Sequence, residues 1–173
     1  MSRKAGYIGA MILVAAFAGV FFVLRAPDKS VSEETEFRLA YDFILKDYEG
    51  REVKLSDFSE KGVLINSWAT WCPFCKKELL DFVTLKKDFG DAVIIAINRA
   101  ETLEIVKKYS DELGVTNDLI FLLDPFDSFY QSIGGFSMPE TIFVDKEGFV
   151  KYHKRGPMEL EEMKRRVEDA FGL

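Results

Sequence analysis

Hydrophobic positions along this chain fall into distinct rhythms. Short continuous apolar runs occupy residues 63–65, 92–97 and 119–123, the pattern of strands covered on both faces of a sheet. Between them the apolar positions recur at helical spacing. Leu79, Phe82 and Val83 form one such face, and Val106, Tyr109 and Leu113 another, on a helix beginning near Glu101. Gly114 is placed to end that second helix. Residues 43–45 and 53–55 flank the polar stretch 47–50, which carries a glycine and predicts a hairpin. After Asp124-Pro125 a short helix is predicted to carry Phe126, Phe129, Tyr130 and Ile133 until Gly134-Gly135 breaks it. Residues 141–144, a turn at 145–148 and residues 149–153 predict a second hairpin. Leu160, Met163, Val167, Ala170 and Phe171 then share one side of a closing helix. Strands joined by helices, with a final hairpin and helix, describe an α/β sheet of mixed direction covered on both faces.

One apolar run is longer than any of these. Tyr7 to Leu24 is 18 residues without a charge, just enough to cross a bilayer core at roughly 1.5 Å per residue. Ala16-Phe17-Ala18 has the look of a cleavage site, but cutting there would leave Val20 to Leu24 on the new N-terminus, so an uncleaved anchor is expected. Residues 1–25 are read as that anchor, 26–36 as a polar tether with Pro27, and 37–173 as the folded domain. Arg3 and Lys4 on one side are nearly balanced by Arg25 and Lys29 on the other, and the short N-terminal tail is placed inside. The domain then lies outside the cytoplasm.

Composition adds a few exclusions. The net charge is −6, and beyond Arg3, Lys4 and Arg25 there are 20 basic against 29 acidic residues. The basic pairs are scattered along helical patterns as solvated faces, so nucleic acid is not an expected partner. Cys72, Cys75 and His153 are the only Cys and His residues, too few for a closed zinc site of four such ligands. His153 falls on the last hairpin and reads as a surface residue.

The cysteines carry the chemistry. They sit where an apolar strand gives way to a helix, in Asn66-Ser-Trp-Ala-Thr-Trp-Cys-Pro-Phe-Cys-Lys-Lys-Glu78. A C-x-x-C pair beside such a strand and helix is the sign of a redox dithiol, because a separation of three puts both sulfurs on one side of a helix start. Pro73 suits the first helical position, where its missing N–H is not needed. Trp68 and Trp71 either frame the motif or belong to the core, and Asn98 and Arg99 either border the site or make loop contacts.

Residues 63–78 resemble the active-site signature of thioredoxin-like proteins, and closely that of the membrane-anchored TlpA/ResA-like branch and the related proteins of cytochrome c maturation. Residues 137–145 with Gly148 resemble that family's cis-proline loop and following strand, and residues 42–58 its added N-terminal hairpin. Together these cover nearly everything from about residue 40 onward. The resemblance implies a thioredoxin-like fold with an N-terminal β-hairpin, preceded by one transmembrane helix. It implies Cys72 as nucleophile, its thiolate stabilised by the helix start, and Cys75 as resolving thiol. Asn66 stands where cytoplasmic thioredoxins carry a buried aspartate, and the resemblance points instead to Glu78 as proton carrier. The helix dipole alone would also favour an acid at that position. Trp71, Pro73, Phe74, Met138 and a cis Pro139 would meet the substrate. No cofactor beyond the dithiol is implied. Expected partners are protein thiols and disulfides, such as those of apocytochrome c, and a membrane electron donor of the CcdA/DsbD type.

Two other functions fit less well. A peroxiredoxin-like peroxidase would carry a threonine three residues before its reactive cysteine, where this chain has Ala69. A membrane-tethered metal or thiol-binding module would use the two sulfurs as ligands for a soft ion such as Cu(I), without Met or His pairs nearby.

Overall fold

The computed structural model describes residues 38–173. The expected anchor and tether lie outside the described residues, as does Phe37. Among the described residues no helix is long and apolar enough to cross a membrane.

In chain order the elements are β1 (Ile44–Asp47), β2 (Glu52–Lys54), a 3-10 helix (Leu55–Phe58), β3 (Val63–Trp68), α1 (Cys75–Asp88), β4 (Val93–Arg99) and α2 (Leu103–Leu113). They continue with β5 (Ile120–Asp124), α3 (Ser128–Ser132), β6 (Glu140–Val144), β7 (Val150–Arg155) and α4 (Leu160–Phe171). One sheet of seven strands runs β2-β1-β5-β4-β3-β6-β7. β3, β4 and β5 are parallel neighbours, whereas β6 and β1 join the two sides of that trio antiparallel, giving the mixed sheet.

The central strands are buried on both faces, so their side chains alternate between two cores. Leu64, Trp68, Ile94, Ala96 and Phe143 face α1, α2 and α4, where Leu79, Phe82, Val106, Met163 and Val167 meet them. Val63, Ile65, Ile95, Ile97 and Ile142 face the opposite side, with Phe43, Phe129, Tyr130 and Ile133. Burying one such side chain contributes about 2 kcal/mol. The β3-α1-β4 and β4-α2-β5 crossovers advance in one direction across the sheet, and since such connections share one hand both helices lie on one face. Gly114 ends α2 with φ 71° and donates to the Ser110 and Asp111 carbonyls, a left-handed position that suits glycine.

Two details differ from the sequence reading. α3 starts at Ser128, after Asp127 at φ 56°, so Phe126 precedes the helix and is 84% exposed instead of packing with Phe129. α1 starts at Cys75 with Phe74 as its N-cap residue, so Pro73 lies in the turn before the helix.

Candidate redox site

Trp68 closes β3 fully buried, its ring against Tyr109 and Phe121 with centroids 5.8 Å away in each case. The chain turns immediately beyond it, with the Cys72 N–H on the Ala69 carbonyl at 3.2 Å. A carboxylate holds this turn from the side. Glu101 Oε2 accepts from the Thr70 N–H at 2.8 Å and from Asn98 Nδ2 at 2.7 Å, while Oε1 accepts from Thr70 Oγ1 at 2.5 Å.

Cys72 and Cys75 are joined by a disulfide, with their Cα atoms 5.4 Å apart. The Cys75 N–H, at the open start of α1, points at Cys72 Sγ from 3.2 Å, so helix-start polarity falls on that sulfur and stabilises negative charge there. Both cysteines are buried, but the residues around them are not: Trp71 is 63% and Phe74 56% exposed, and Pro73 is exposed as well. An apolar rim therefore surrounds a shielded sulfur pair.

Glu78, one turn further along α1, is 1% exposed. Oε1 accepts from the Met158 N–H at 2.8 Å, and Oε2 from Asn66 Nδ2 at 3.1 Å. Desolvation pushes its pKa from 4.5 up to about 7, against the lowering influence of those two donors. The same Asn66 amide donates to Thr141 Oγ1 at 2.9 Å.

The Met138–Pro139 bond is cis. The β3–β6 register pairs Ser67 with Glu140, so Pro139 comes level with Trp68 at the sheet end from which the motif leaves. Contacts on both sides of that cis bond seat the loop. Tyr130 Oη donates to the Ser137 carbonyl at 2.7 Å, the Gly156 N–H donates to the Pro139 carbonyl at 2.9 Å, and Met138 packs against both cores. Gly135 lets the Tyr130 ring approach, since a Cβ there would fall 2.5 Å from it.

Of the residues singled out in the sequence, the structure places Cys75 and Glu78 on the first turns of α1 and Trp71, Cys72, Pro73 and Phe74 in the turn just before it. Trp68 belongs to the core. Asn98 borders the motif through Glu101, whereas Arg99 turns away to Asp127, which it binds at 2.9 and 2.5 Å, and covers the Tyr130 ring at 3.5 Å. His153 is not a surface residue: its side chain is 6% exposed, with Nε2 donating to Glu140 Oε1 at 2.6 Å. Glu101, Glu140 and Met158 carry no motif of their own: Glu101 reaches across to Thr70 and Glu140 across to His153 on the neighbouring strand, and Met158 acts through its backbone N–H.

A family model described as the AhpC/TSA family matches residues 38–153. The thiol-disulfide oxidoreductase ResA of Geobacillus thermodenitrificans is 34% identical, over 75% of this chain and 74% of the relative. The thiol:disulfide interchange protein DsbE of Allochromatium vinosum is 27% identical, over 91% of this chain and 87% of the relative. A solved structure of a thioredoxin-family thiol:disulfide interchange protein from Chlorobium tepidum shares the fold with TM-score 0.67 at 24% identity, covering 76% of this chain and 94% of its own. With its C-x-x-C disulfide at a helix start and a cis-proline loop at the same sheet end, the chain belongs to the ResA-like thiol-disulfide oxidoreductases of the thioredoxin superfamily.

Proposed function

We propose that this protein is a membrane-tethered, extracytoplasmic reductant of protein disulfides, of the kind needed before haem attachment to apocytochrome c. The observation that carries the redox reading is the Cys72–Cys75 disulfide with the Cys75 N–H on Cys72 Sγ. The uncharged segment at residues 7–24 supports the tether.

In the reduced protein the Cys72 thiolate attacks one sulfur of a substrate disulfide and expels the other as a thiolate, leaving a mixed disulfide. Cys75 then attacks Cys72 Sγ, the second substrate sulfur leaves, and the internal disulfide closes. Two electrons have passed from the dithiol to the substrate. Glu78, one helical turn beyond Cys75 and poised near neutral pH, takes the proton that Cys75 must lose and supplies one to a departing thiolate. Trp71, Pro73 and Phe74 form the rim on which the substrate rests. Met138 and Pro139 offer it a backbone edge. Reducing equivalents come from a membrane donor of the CcdA/DsbD type, and no bound cofactor is required.

Insulin-disulfide reduction tests the mechanism. Cys72→Ser is expected to abolish turnover and Cys75→Ser to trap a mixed disulfide; turnover retained in the first variant would refute it. A redox titration tests the direction: a reductant sits near the about −270 mV of thioredoxin, an oxidant near the about −120 mV of DsbA.

A further inference from the structure

Glu140 follows the cis-proline directly and is a carboxylate at 1% exposure, on the face of the sheet opposite Glu78. An apolar side chain would occupy that position without the cost of desolvating a charge, so its contacts matter. Oε2 accepts from the N–H groups of Phe136 and Ser137, both at 3.2 Å. Oε1 accepts from His153 Nε2 at 2.6 Å and pairs with Arg155 Nε at 3.2 Å. One oxygen thus faces the loop and the other faces β7.

The register explains the convergence. Glu140 pairs with Arg155 and Ile142 with His153, so all these side chains point to the same face. Arg155 also reaches forward, its guanidinium 5.0 Å from the centre of the Phe136 ring, and that ring is 78% exposed. The residue after Arg155, Gly156, holds the Pro139 carbonyl. Strand β7 and the residue that follows it therefore hold the loop on both sides of its cis bond, through Phe136 before it and through Glu140 and the Pro139 carbonyl after it.

We propose that His153 and Arg155 are positioning residues for substrate binding: acting through Glu140, they fix the backbone of Phe136 and Ser137, and so the Met138–Pro139 edge and the Phe136 ring offered to a substrate chain. This rests on the reading of that edge as the substrate site. The brace touches no reacting sulfur, so its loss weakens binding of a polypeptide and leaves the sulfur chemistry in place.

Amide hydrogen exchange on the whole protein, together with insulin-reduction kinetics, tests the proposal. In His153→Leu the Phe136 and Ser137 N–H groups are expected to exchange at least about tenfold faster, and KM for insulin to rise about fivefold with kcat held within about twofold. His153→Gln, which restores a donor, should recover both. Arg155→Gln, at a half-exposed position, gives the same readout should His153→Leu fail to fold. Unchanged protection of Phe136 and Ser137 in His153→Leu and Arg155→Gln would overturn the brace, as would a kcat loss that His153→Gln leaves unrepaired. Wild-type protein inert toward insulin would count against the proposed function alone, and the exchange result would then decide the brace.

Discussion

One amide, that of Asn66, binds both Glu78 Oε2 and Thr141 Oγ1, at 3.1 and 2.9 Å, and so ties α1 to β3 and β6 inside the protein. Both of its hydrogens are used, and its Oδ1 has no partner. Donation to a carboxylate favours the charged form, so this contact restrains a pKa that burial drives upward. Asn66→Asp replaces the donor with a second carboxyl in the same site, where like charges oppose double ionisation. The pair is expected to titrate in two apparent steps, the upper one above the wild-type value of about 7. Carboxyl carbon NMR against pH reads this directly, and an upper step at or below 7 would contradict the assigned coupling.

The same raised pKa makes stability depend on pH. Below about pH 4.5 Glu78 is protonated in folded and unfolded chains alike. Between there and about 7 the unfolded chain releases its proton while the folded one keeps it, so stability falls as pH rises, by up to about 3 kcal/mol for this group. Above 7 that loss is complete. Glu78→Gln should lack this component: its amide oxygen can still accept from Met158, and Asn66 can turn its unpartnered Oδ1 to the new NH2. Urea unfolding of the oxidised protein at pH 5 and pH 8 is expected to show a smaller difference in the variant, by about 3 kcal/mol at most.

The scaffold of this site was more legible in the sequence than its polar bracing. Continuous apolar runs found β3, β4 and β5 because those strands are covered on both faces, and C-x-x-C at a strand end marked the sulfurs. Burial of His153 was hidden because β7 reads as mostly polar, and its inward aspect follows from pairing with Ile142 and from a carboxylate arriving on the next strand. The spacing of Phe126 and Phe129 suggests one helix face, but the left-handed Asp127 between them breaks the helical period. Met158 contributes only a backbone N–H to Glu78, and such a contact leaves no trace in residue type.

Glu101 is the third carboxylate of the site, and it acts on the turn that leads to Cys72. Glu101→Ala leaves the Thr70 N–H and the buried Asn98 Nδ2 without this acceptor. Stranding such donors costs about 1–3 kcal/mol, and the turn at residues 69–71 loses its lateral hold. Lower stability of that order in denaturant is expected, together with faster amide exchange at Thr70. Faster exchange spread evenly over the whole domain would instead indicate a global loss with no local clamp.

The two tryptophans, three residues apart, should respond in opposite ways. Trp68 is 0% exposed and packed against the Tyr109 and Phe121 rings, whereas Trp71 is 63% exposed on the rim beside the disulfide. Trp68→Ala opens a cavity in the core between the sheet and its helices and is expected to cost about 3–5 kcal/mol. Trp71→Ala removes little packing and should change stability by no more than about 0.5 kcal/mol. Under the proposed role of the rim as the surface on which a polypeptide rests, KM for insulin is expected to rise a few-fold. These are the only two tryptophans in the chain, so fluorescence separates them cleanly. Trp71→Phe leaves the emission of Trp68 alone, which acrylamide should hardly quench, while wild-type emission should be quenched in the part that comes from Trp71. Strong quenching in Trp71→Phe would place Trp68 in contact with solvent and remove the basis for assigning the two rings different roles.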